Sequence, residues 1–305
     1  MLQSEHVAAI DLGSSVASAH EDTHKRATEV RMSLNESYPD VDELLASIGE
    51  AGVRLSALAA TAGAAGNISL CIGWPLEVRR RFPLAEPYAL PQPAPELAGK
   101  LILVTGSGRR LRDLQADPGA NLGAVVVSAD GASAQLYSSP RRLFERVTSE
   151  FNSHLAVLAD QVGRTGAIFQ ALIHAQPPHL VYLSHLPAYR DQRVLNERLL
   201  RWEPETIVHL PEGVGALPFI LPGSPALMEA TVTLLRAHRL VLWSKHGVMA
   251  RSDFSVTRAA DLIEYIEAAA RYEYMDVVTG GKGEGLTRDE LRAVVDAFHV
   301  QTKLL

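Results

Sequence analysis

Short apolar runs alternate with segments of helical periodicity from about residue 40 to residue 305, and this alternation limits the fold more than any other feature. The apolar runs are rich in β-branched residues and end at glycine or proline, as buried strands do. The segments between them repeat apolar residues every three or four positions and begin at residues that can cap a helix. The sequence therefore predicts an α/β fold. The clearest strand candidates are residues 101–104, 124–127, 167–173 and 240–243.

Length and composition narrow the class of protein. With 305 residues and 47% hydrophobic content, the chain can bury a large core. A net charge of -6 and no long basic run argue against a partner that is nucleic acid or an anionic membrane surface. The single cysteine, Cys71, suits a reducing compartment, and neither a membrane-spanning stretch nor a signal pattern is evident. These features predict a soluble, cytoplasmic protein.

The chain divides into two parts. Residues 1–38 are polar and are interpreted as an N-terminal extension, whereas residues 39–305 are predicted to form one domain. Within the extension, residues 9–15 are similar to the first phosphate motif of sugar kinases. A kinase would continue into a second strand, but here the chain runs into a charged, helix-like segment. The domain is predicted to open on a helix capped by Asp40, with Glu43 completing the cap.

Two histidines stand where apolar runs end. His174 follows residues 167–173, and His246 follows residues 240–243. Alternate side chains of a strand share one face, so His174 and Gln176 are expected to point the same way. Two histidines at strand ends would suit a metal site. The alternative is that each is an ordinary structural histidine held by hydrogen bonds.

Three stretches could hold an anion. Residues 63–70 form a turn of small residues that lets a ligand approach the backbone, and residues 105–108 combine glycine amides with hydroxyls in a possible anion nest. Thr148 and Ser149 are candidate caps for a helix whose free amides favour negative charge. Each stretch could equally be an ordinary turn or helix start. In that case Glu150 would only interact with the helix dipole.

Five short runs, taken together and in order, resemble the class II aldolase/adducin family and, within it, the rhamnulose-1-phosphate aldolases. The similarity extends from about Leu44 to Leu305. The runs are residues 104–108 continuing to 122–123, 148–150, 212–215, 241–243 and 246–248. The resemblance implies a three-layer α/β/α domain around a central, mainly antiparallel sheet. It also implies a ring-shaped homotetramer with sites between subunits.

The resemblance assigns roles to individual residues. His174 and His246 match ligands of a divalent metal, which in the family is zinc. Glu150 matches the catalytic glutamate, and Glu205 matches a second carboxylate near the substrate. The residues that match the phosphate cradle are Asn67, Ser107, Gly108, Thr148 and Ser149.

Two departures from the family pattern stand out. Gln176 occupies the second position of an expected His-x-His pair, and an amide oxygen is a poorer zinc ligand than imidazole. Gln176 could bind weakly, His179 could be the third nitrogen ligand, or the site could prefer another metal or none. Gly63 and Ala64 stand where arginine and asparagine are usual, which removes polar contacts from the cradle.

The resemblance implies a metal-dependent lyase. Its expected reaction is cleavage of a ketose 1-phosphate, such as L-rhamnulose 1-phosphate, to dihydroxyacetone phosphate and an aldehyde. A metal can stabilise the negative charge left by the broken bond, and Glu150 and Glu205 could divide the proton transfers. The alternatives are an epimerase or dehydratase acting on a phosphosugar, and a non-catalytic adducin-like assembly protein.

Overall fold

Nine strands in the described part of the chain, residues 38–305 of this computed structural model, form one sheet. In chain order they are β1 (Asn67–Ile72), β2 (Leu84–Tyr88), β3 (Leu101–Thr105), β4 (Leu122–Val127), β5 (Ala134–Ser138), β6 (Phe169–Ala175), β7 (Gly215–Leu217), β8 (Leu240–Trp243) and β9 (Gly247–Ser252). Almost all of the predicted extension, including residues 9–15, lies outside the described residues. Asp40–Leu305 form one unit by their contacts.

The strand order is β2-β5-β4-β3-β1-β6-β9-β8-β7. Among these strands only β7 and β8 pair in parallel, and the other neighbours are antiparallel. The prediction of a mainly antiparallel central sheet is confirmed. Strands β1 and β6 lie at the middle of the sheet, in a register that puts Asn67 opposite His174.

The helices within residues 38–305 are α1 (Val41–Ala57), α2 (Pro118–Asn121), α3 (Phe151–Thr165), α4 (Pro178–Leu183), α5 (Gln192–Leu199), α6 (Pro204–His209), α7 (Pro225–Leu235), α8 (Val256–Thr279) and α9 (Arg288–Ala297). Single 3-10 turns occur at Pro95–Leu97, Leu111–Asp113 and Pro187–Tyr189. No helix in this range is long and apolar enough to cross a membrane.

Helices cover both faces of the sheet. Successive strand residues point to opposite faces, and Leu70 accordingly packs in the cluster that holds α1 and α8, whereas Cys71 packs in the cluster that holds α3 and α7. Burial of apolar side chains on both faces stabilises the arrangement by about 25 cal/mol for each square ångström removed from water. The result is the predicted three-layer α/β/α architecture.

Helices α1 and α9 begin at capping residues, but their buried faces differ from those that apolar periodicity predicts. Asp40 and Glu43 form the capping box of α1, and Thr287 opens α9 in the same way. Apolar periodicity also predicts that Val53 lies on the buried face of α1 and Phe298 on that of α9, and both predictions are wrong. Val53 is 40% exposed on α1, and Phe298 is 64% exposed because α9 ends at Ala297, one residue before it.

Candidate active site

The two strand-end histidines meet at one edge of the sheet. His174 is the sixth residue of β6 and is buried, while His246 lies in the tight turn between β8 and β9. Lys245 turns the chain there with a φ of 65°, in the left-handed region. The two imidazole centroids are 4.9 Å apart, and the indole of Trp243 stacks on both, at 4.8 Å and 5.2 Å. The β8–β9 hairpin thus fixes both rings against one aromatic face.

Glu150 reaches the same point from the start of α3. Its Oε2 is 3.5 Å from Nε2 of His174, and its Oε1 is 3.5 Å from Nε2 of His246. Glu150 is itself the N-cap residue of α3, and its side chain makes no capping hydrogen bond. Neither Thr148 nor Ser149 is the N-cap residue as predicted, although the hydroxyl of Thr148 accepts from the amide of Glu150 at 3.3 Å. The amide of Thr148 donates to the carbonyl of Thr105 at the end of β3, 2.9 Å away.

The three side chains suit a metal ion. One ligand atom from each of Glu150, His174 and His246 lies within 4.8 Å of the others. Nδ1 of His174 donates to the carbonyl of Val248 at 2.9 Å, which leaves the Nε2 lone pair directed at Glu150. Nδ1 of His246 is buried without a hydrogen-bond partner among the described residues, so no such bond holds this ring as a structural histidine. Two imidazoles and a carboxylate are a common zinc donor set.

The candidate third ligands lie in different places. Gln176 follows the end of β6 and lines the same cavity as His174 and His246. His179 does not, because Pro177 turns the chain away and Pro178 begins α4. The ring of His179 instead donates from Nδ1 to Oε1 of Glu267, 2.7 Å away on α8. The structure therefore gives no support to His179 as a third nitrogen ligand.

Glu205 also lies apart from this group within one chain. It is in the first turn of α6 and lines a separate cavity of about 510 Å³ together with Arg54 and Glu264. Its role as a second carboxylate at the substrate stays a prediction that depends on the implied assembly, in which neighbouring subunits share a site.

The predicted phosphate cradle comes together beside the histidines. One cavity of about 190 Å³ is lined by Glu150, His174, Gln176, His246 and all five residues of the predicted cradle. The cradle residues are Asn67, Ser107, Gly108, Thr148 and Ser149. Arg109 lines the same cavity and was missed in the sequence analysis. Its Nε donates to Asn121 at 2.8 Å and its Nη1 donates to the carbonyl of Leu143 at 3.0 Å, and these two bonds anchor its guanidinium.

A second missed residue, His154, lies directly behind the cavity on α3 and is fully buried. Its Nε2 bonds to Oδ1 of Asn67, and its Nδ1 lies 2.6 Å from the hydroxyl of Ser69. Asn67 in turn donates from Nδ2 to Oε2 of Glu150 at 2.8 Å. The available signal was the spacing, because residues four apart on a helix share a face and His154 follows Glu150 by four.

Burial and neighbouring charge act on the carboxylate in opposite directions. Burial alone would raise the pKa of Glu150, but the positive charge that His174 and His246 carry when protonated, together with the N–H of Asn67, lowers it below its usual value. Burial, reinforced by His174, lowers the pKa of His246. The arrangement keeps a carboxylate ionised and an imidazole neutral, the forms in which both can bind a cation.

His154 is expected to make stability depend on pH. Burial lowers its pKa to about 4, below its usual value of 6.5. Between these pH values the unfolded chain binds a proton that the folded protein does not, so stability is complete above about pH 6.5 and falls as the pH drops toward 4. The expected loss is about 3 kcal/mol. Denaturant unfolding of wild type and His154→Gln across this range should show a much shallower pH dependence in the variant, and equal slopes would contradict the assignment.

The chain is similar to known aldolases in sequence and in fold. The family model described as "Class II Aldolase and Adducin N-terminal domain" matches residues 46–274. A rhamnulose-1-phosphate aldolase of Klebsiella pneumoniae is 34% identical over 215 residues, covering 70% of this chain and 76% of the relative. The enzyme of that name from Escherichia fergusonii is 34% identical over 219 residues, covering 71% and 78%. A solved sugar-phosphate aldolase from Thermotoga maritima superposes with a TM-score of 0.67 at 25% identity, covering 80% of this chain and 99% of that one.

Proposed function

Since this chain belongs to the class II aldolase/adducin family, we propose that it is a metal-dependent aldolase that cleaves a ketose 1-phosphate to dihydroxyacetone phosphate and an aldehyde. L-rhamnulose 1-phosphate is the first substrate to test. The observation that carries the proposal is Glu150 placed 3.5 Å from both His174 and His246, at the wall of a cavity lined by hydroxyls and backbone amides.

His174 and His246 would hold the metal, with Gln176 as a neutral third donor, and Glu150 would lie beside it as the proton-transferring group. A divalent ion there, zinc in the first instance, would supply Lewis-acid stabilisation of the negative charge that develops as the carbon–carbon bond breaks. The carbonyl of Val248 fixes His174 in the tautomer that leaves Nε2 free, and Trp243 holds the planes of both rings. The protein thereby sets the direction of one ligand lone pair, on Nε2 of His174, before any ion binds.

Glu150 is the group that would hold and move the proton. Cleavage requires that the hydroxyl on the future aldehyde carbon lose a proton and that the other carbon gain one. Glu150 is buried and borders the cavity, so it can give or take a proton at the carbon that receives the electron pair. Glu205 is proposed for the hydroxyl proton, supplied by a neighbouring subunit of a homotetramer.

The phosphate would occupy the cradle. The hydroxyls of Ser107, Thr148 and Ser149 and the amides of Gly108 and Ser149 can donate to its oxygens, and Arg109 adds a positive charge. This donor set replaces the polar contacts that Gly63 and Ala64 cannot make. An arginine that is itself anchored by Asn121 and Leu143 keeps its charge in place at little cost in side-chain entropy.

Removing the phosphate from the substrate is the expected test of the cradle. The unphosphorylated ketose should react at least about 100-fold more slowly in kcat/KM, since several charge-assisted hydrogen bonds are lost. Ser107→Ala should reduce the ratio of kcat/KM between the phosphorylated and the unphosphorylated ketose. Ser133→Ala should leave this ratio unchanged, because Ser133 is an exposed residue in the β4–β5 hairpin. Equal rates on the two ketoses would show that the cavity does not bind phosphate.

The product formed from the phosphosugar distinguishes the aldolase from the two alternative functions. An epimerase or dehydratase would consume the phosphosugar without releasing dihydroxyacetone phosphate, and an adducin-like assembly protein would leave it unchanged. Gln176, in place of a third imidazole, is the observation that favours the assembly protein. A coupled assay for dihydroxyacetone phosphate on a panel of ketose 1-phosphates, with chromatography of the remaining sugars, separates the three outcomes.

A further inference from the structure

Four buried side chains form a continuous line of hydrogen bonds that ends on Glu150. Nδ2 of Asn67 donates to Oε2 of Glu150 at 2.8 Å, and Oδ1 of Asn67 faces Nε2 of His154. Nδ1 of His154 is 2.6 Å from Oγ of Ser69. Ser69 and His154 are fully buried, and Asn67 and Glu150 are each 7% exposed. Two separate elements, β1 and the N-terminal end of α3, are therefore joined through polar atoms behind the cavity.

The donor and the acceptor of every hydrogen bond in this line follow from the fact that Glu150 is a carboxylate. A carboxylate can only accept, so the amide nitrogen of Asn67 must face it and the amide oxygen must face His154. That oxygen can only accept, so Nε2 of His154 carries the hydrogen. Nδ1 is then a lone pair, and the hydroxyl of Ser69 donates to it. The ring is a neutral Nε2–H tautomer, and burial, which lowers the pKa of His154 to about 4, keeps it neutral near pH 7.

We propose that His154 is a positioning residue for Glu150, and that it acts by fixing the side-chain amide of Asn67. This inference rests on the proposed function, in which Glu150 transfers a proton. Without the N–H of His154, the amide of Asn67 could rotate by 180° and present its oxygen to the carboxylate, which would lose a hydrogen bond and add repulsion. With the amide fixed, Oε2 of Glu150 is occupied by an N–H and is the weaker base. The proton is then taken and given by Oε1.

Three variants at α3 separate positioning from simple core filling. His154→Leu keeps an apolar side chain of moderate size but has no donor, and should lower kcat about 10- to 100-fold, as removal of a supporting hydrogen bond commonly does. His154→Gln can place an N–H where Nε2 lies and should stay within a few-fold of wild type. Ser153→Ala is the matched control, because Ser153 is also fully buried and its hydroxyl has no partner among the described residues.

A double-mutant cycle tests whether the effect passes through Asn67. If it does, His154→Leu should lower kcat much less in an Asn67→Ala background than in wild type, because the amide that it positions is gone. A purely structural role predicts that the two substitutions reduce kcat independently. Fully additive effects would therefore overturn the positioning role.

The tautomer gives a readout that needs no turnover. In protein labelled with ¹⁵N at histidine, the ring nitrogens of His154, identified by their loss in His154→Gln, should show a neutral Nε2–H ring. An Nδ1–H ring, or a His154→Leu variant as active as Ser153→Ala, would overturn the positioning role alone. A wild type inert on every ketose 1-phosphate would instead overturn the proposed function, and with it a catalytic purpose for these bonds.

Discussion

Replacing Glu150 with glutamine is expected to lower the rate of retro-aldol cleavage at least about 100-fold while leaving the protein folded. General acid–base catalysis typically contributes about a hundredfold to ten-thousandfold, which corresponds to roughly 3 kcal/mol or more of transition-state stabilisation. A residue that only interacts with the helix dipole contributes about 0.3 to 1 kcal/mol of stability and nothing to rate. The structure separates the two roles, since the side chain of Glu150 turns toward His174 and His246 and makes no capping bond.

The control for this substitution is Glu145→Gln, which makes the same chemical change at an exposed glutamate five residues earlier. Release of dihydroxyacetone phosphate should be unaffected by Glu145→Gln. Circular dichroism and the oligomeric state of both variants should match wild type. A Glu150→Gln variant as active as Glu145→Gln would remove Glu150 from the mechanism.

Replacing His246 with alanine is expected to abolish metal binding. A structural zinc site with four ligands is worth about 10–16 kcal/mol, so one imidazole should contribute roughly 3 kcal/mol, more than a hundredfold in affinity. Elemental analysis of protein purified without chelator should give about one metal ion per chain in wild type and almost none in the variant. The ring of His246 also packs against that of His174, with 4.9 Å between their centroids, so its removal also loosens His174.

His179→Ala is the matched control for metal binding. The ring of His179 is bonded to Glu267 on α8 rather than directed at the cavity, so this variant should keep its metal. Gln176→Ala should weaken binding less than His246→Ala, because an amide is a poor zinc ligand. Loss of metal on removal of His179 would contradict the ligand set given above.

Most of the fold could be predicted from the sequence because the patterns that specify helices and strands are local. Caps such as Asp40 and Thr287 act within one helical turn, and short apolar runs between glycine and proline mark strands without reference to the rest of the chain. The predicted apolar face of α9 was partly wrong at Phe298. Periodicity shows which residues could share a face, but it does not show where the helix ends or how far its partner extends.

The site was predictable where the chain order itself brings residues to one place. His174 lies near the end of β6 and His246 directly before the neighbouring strand β9, and the family resemblance supplied Glu150. The contacts of His179 and His154 could not be predicted in this way, because their hydrogen-bond partners lie on other helices and strands. Pro177 directs His179 toward α8, and only the packing of α3 on β1 reveals that His154 meets Asn67. Glu205 depends on a neighbouring chain for its predicted place, so one sequence cannot position it.

Dependence of cleavage on metal tests the central claim most directly. Wild-type protein is stripped with chelator, dialysed, and assayed for release of dihydroxyacetone phosphate from L-rhamnulose 1-phosphate and related ketose 1-phosphates, before and after addition of zinc, manganese or cobalt. Stripped protein should be inactive, and one equivalent of metal should restore the rate in wild type but not in Glu150→Gln or His246→Ala. Cleavage by fully stripped protein, or a metal-loaded wild type inert on every sugar, would contradict a metal-dependent aldolase built on Glu150, His174 and His246.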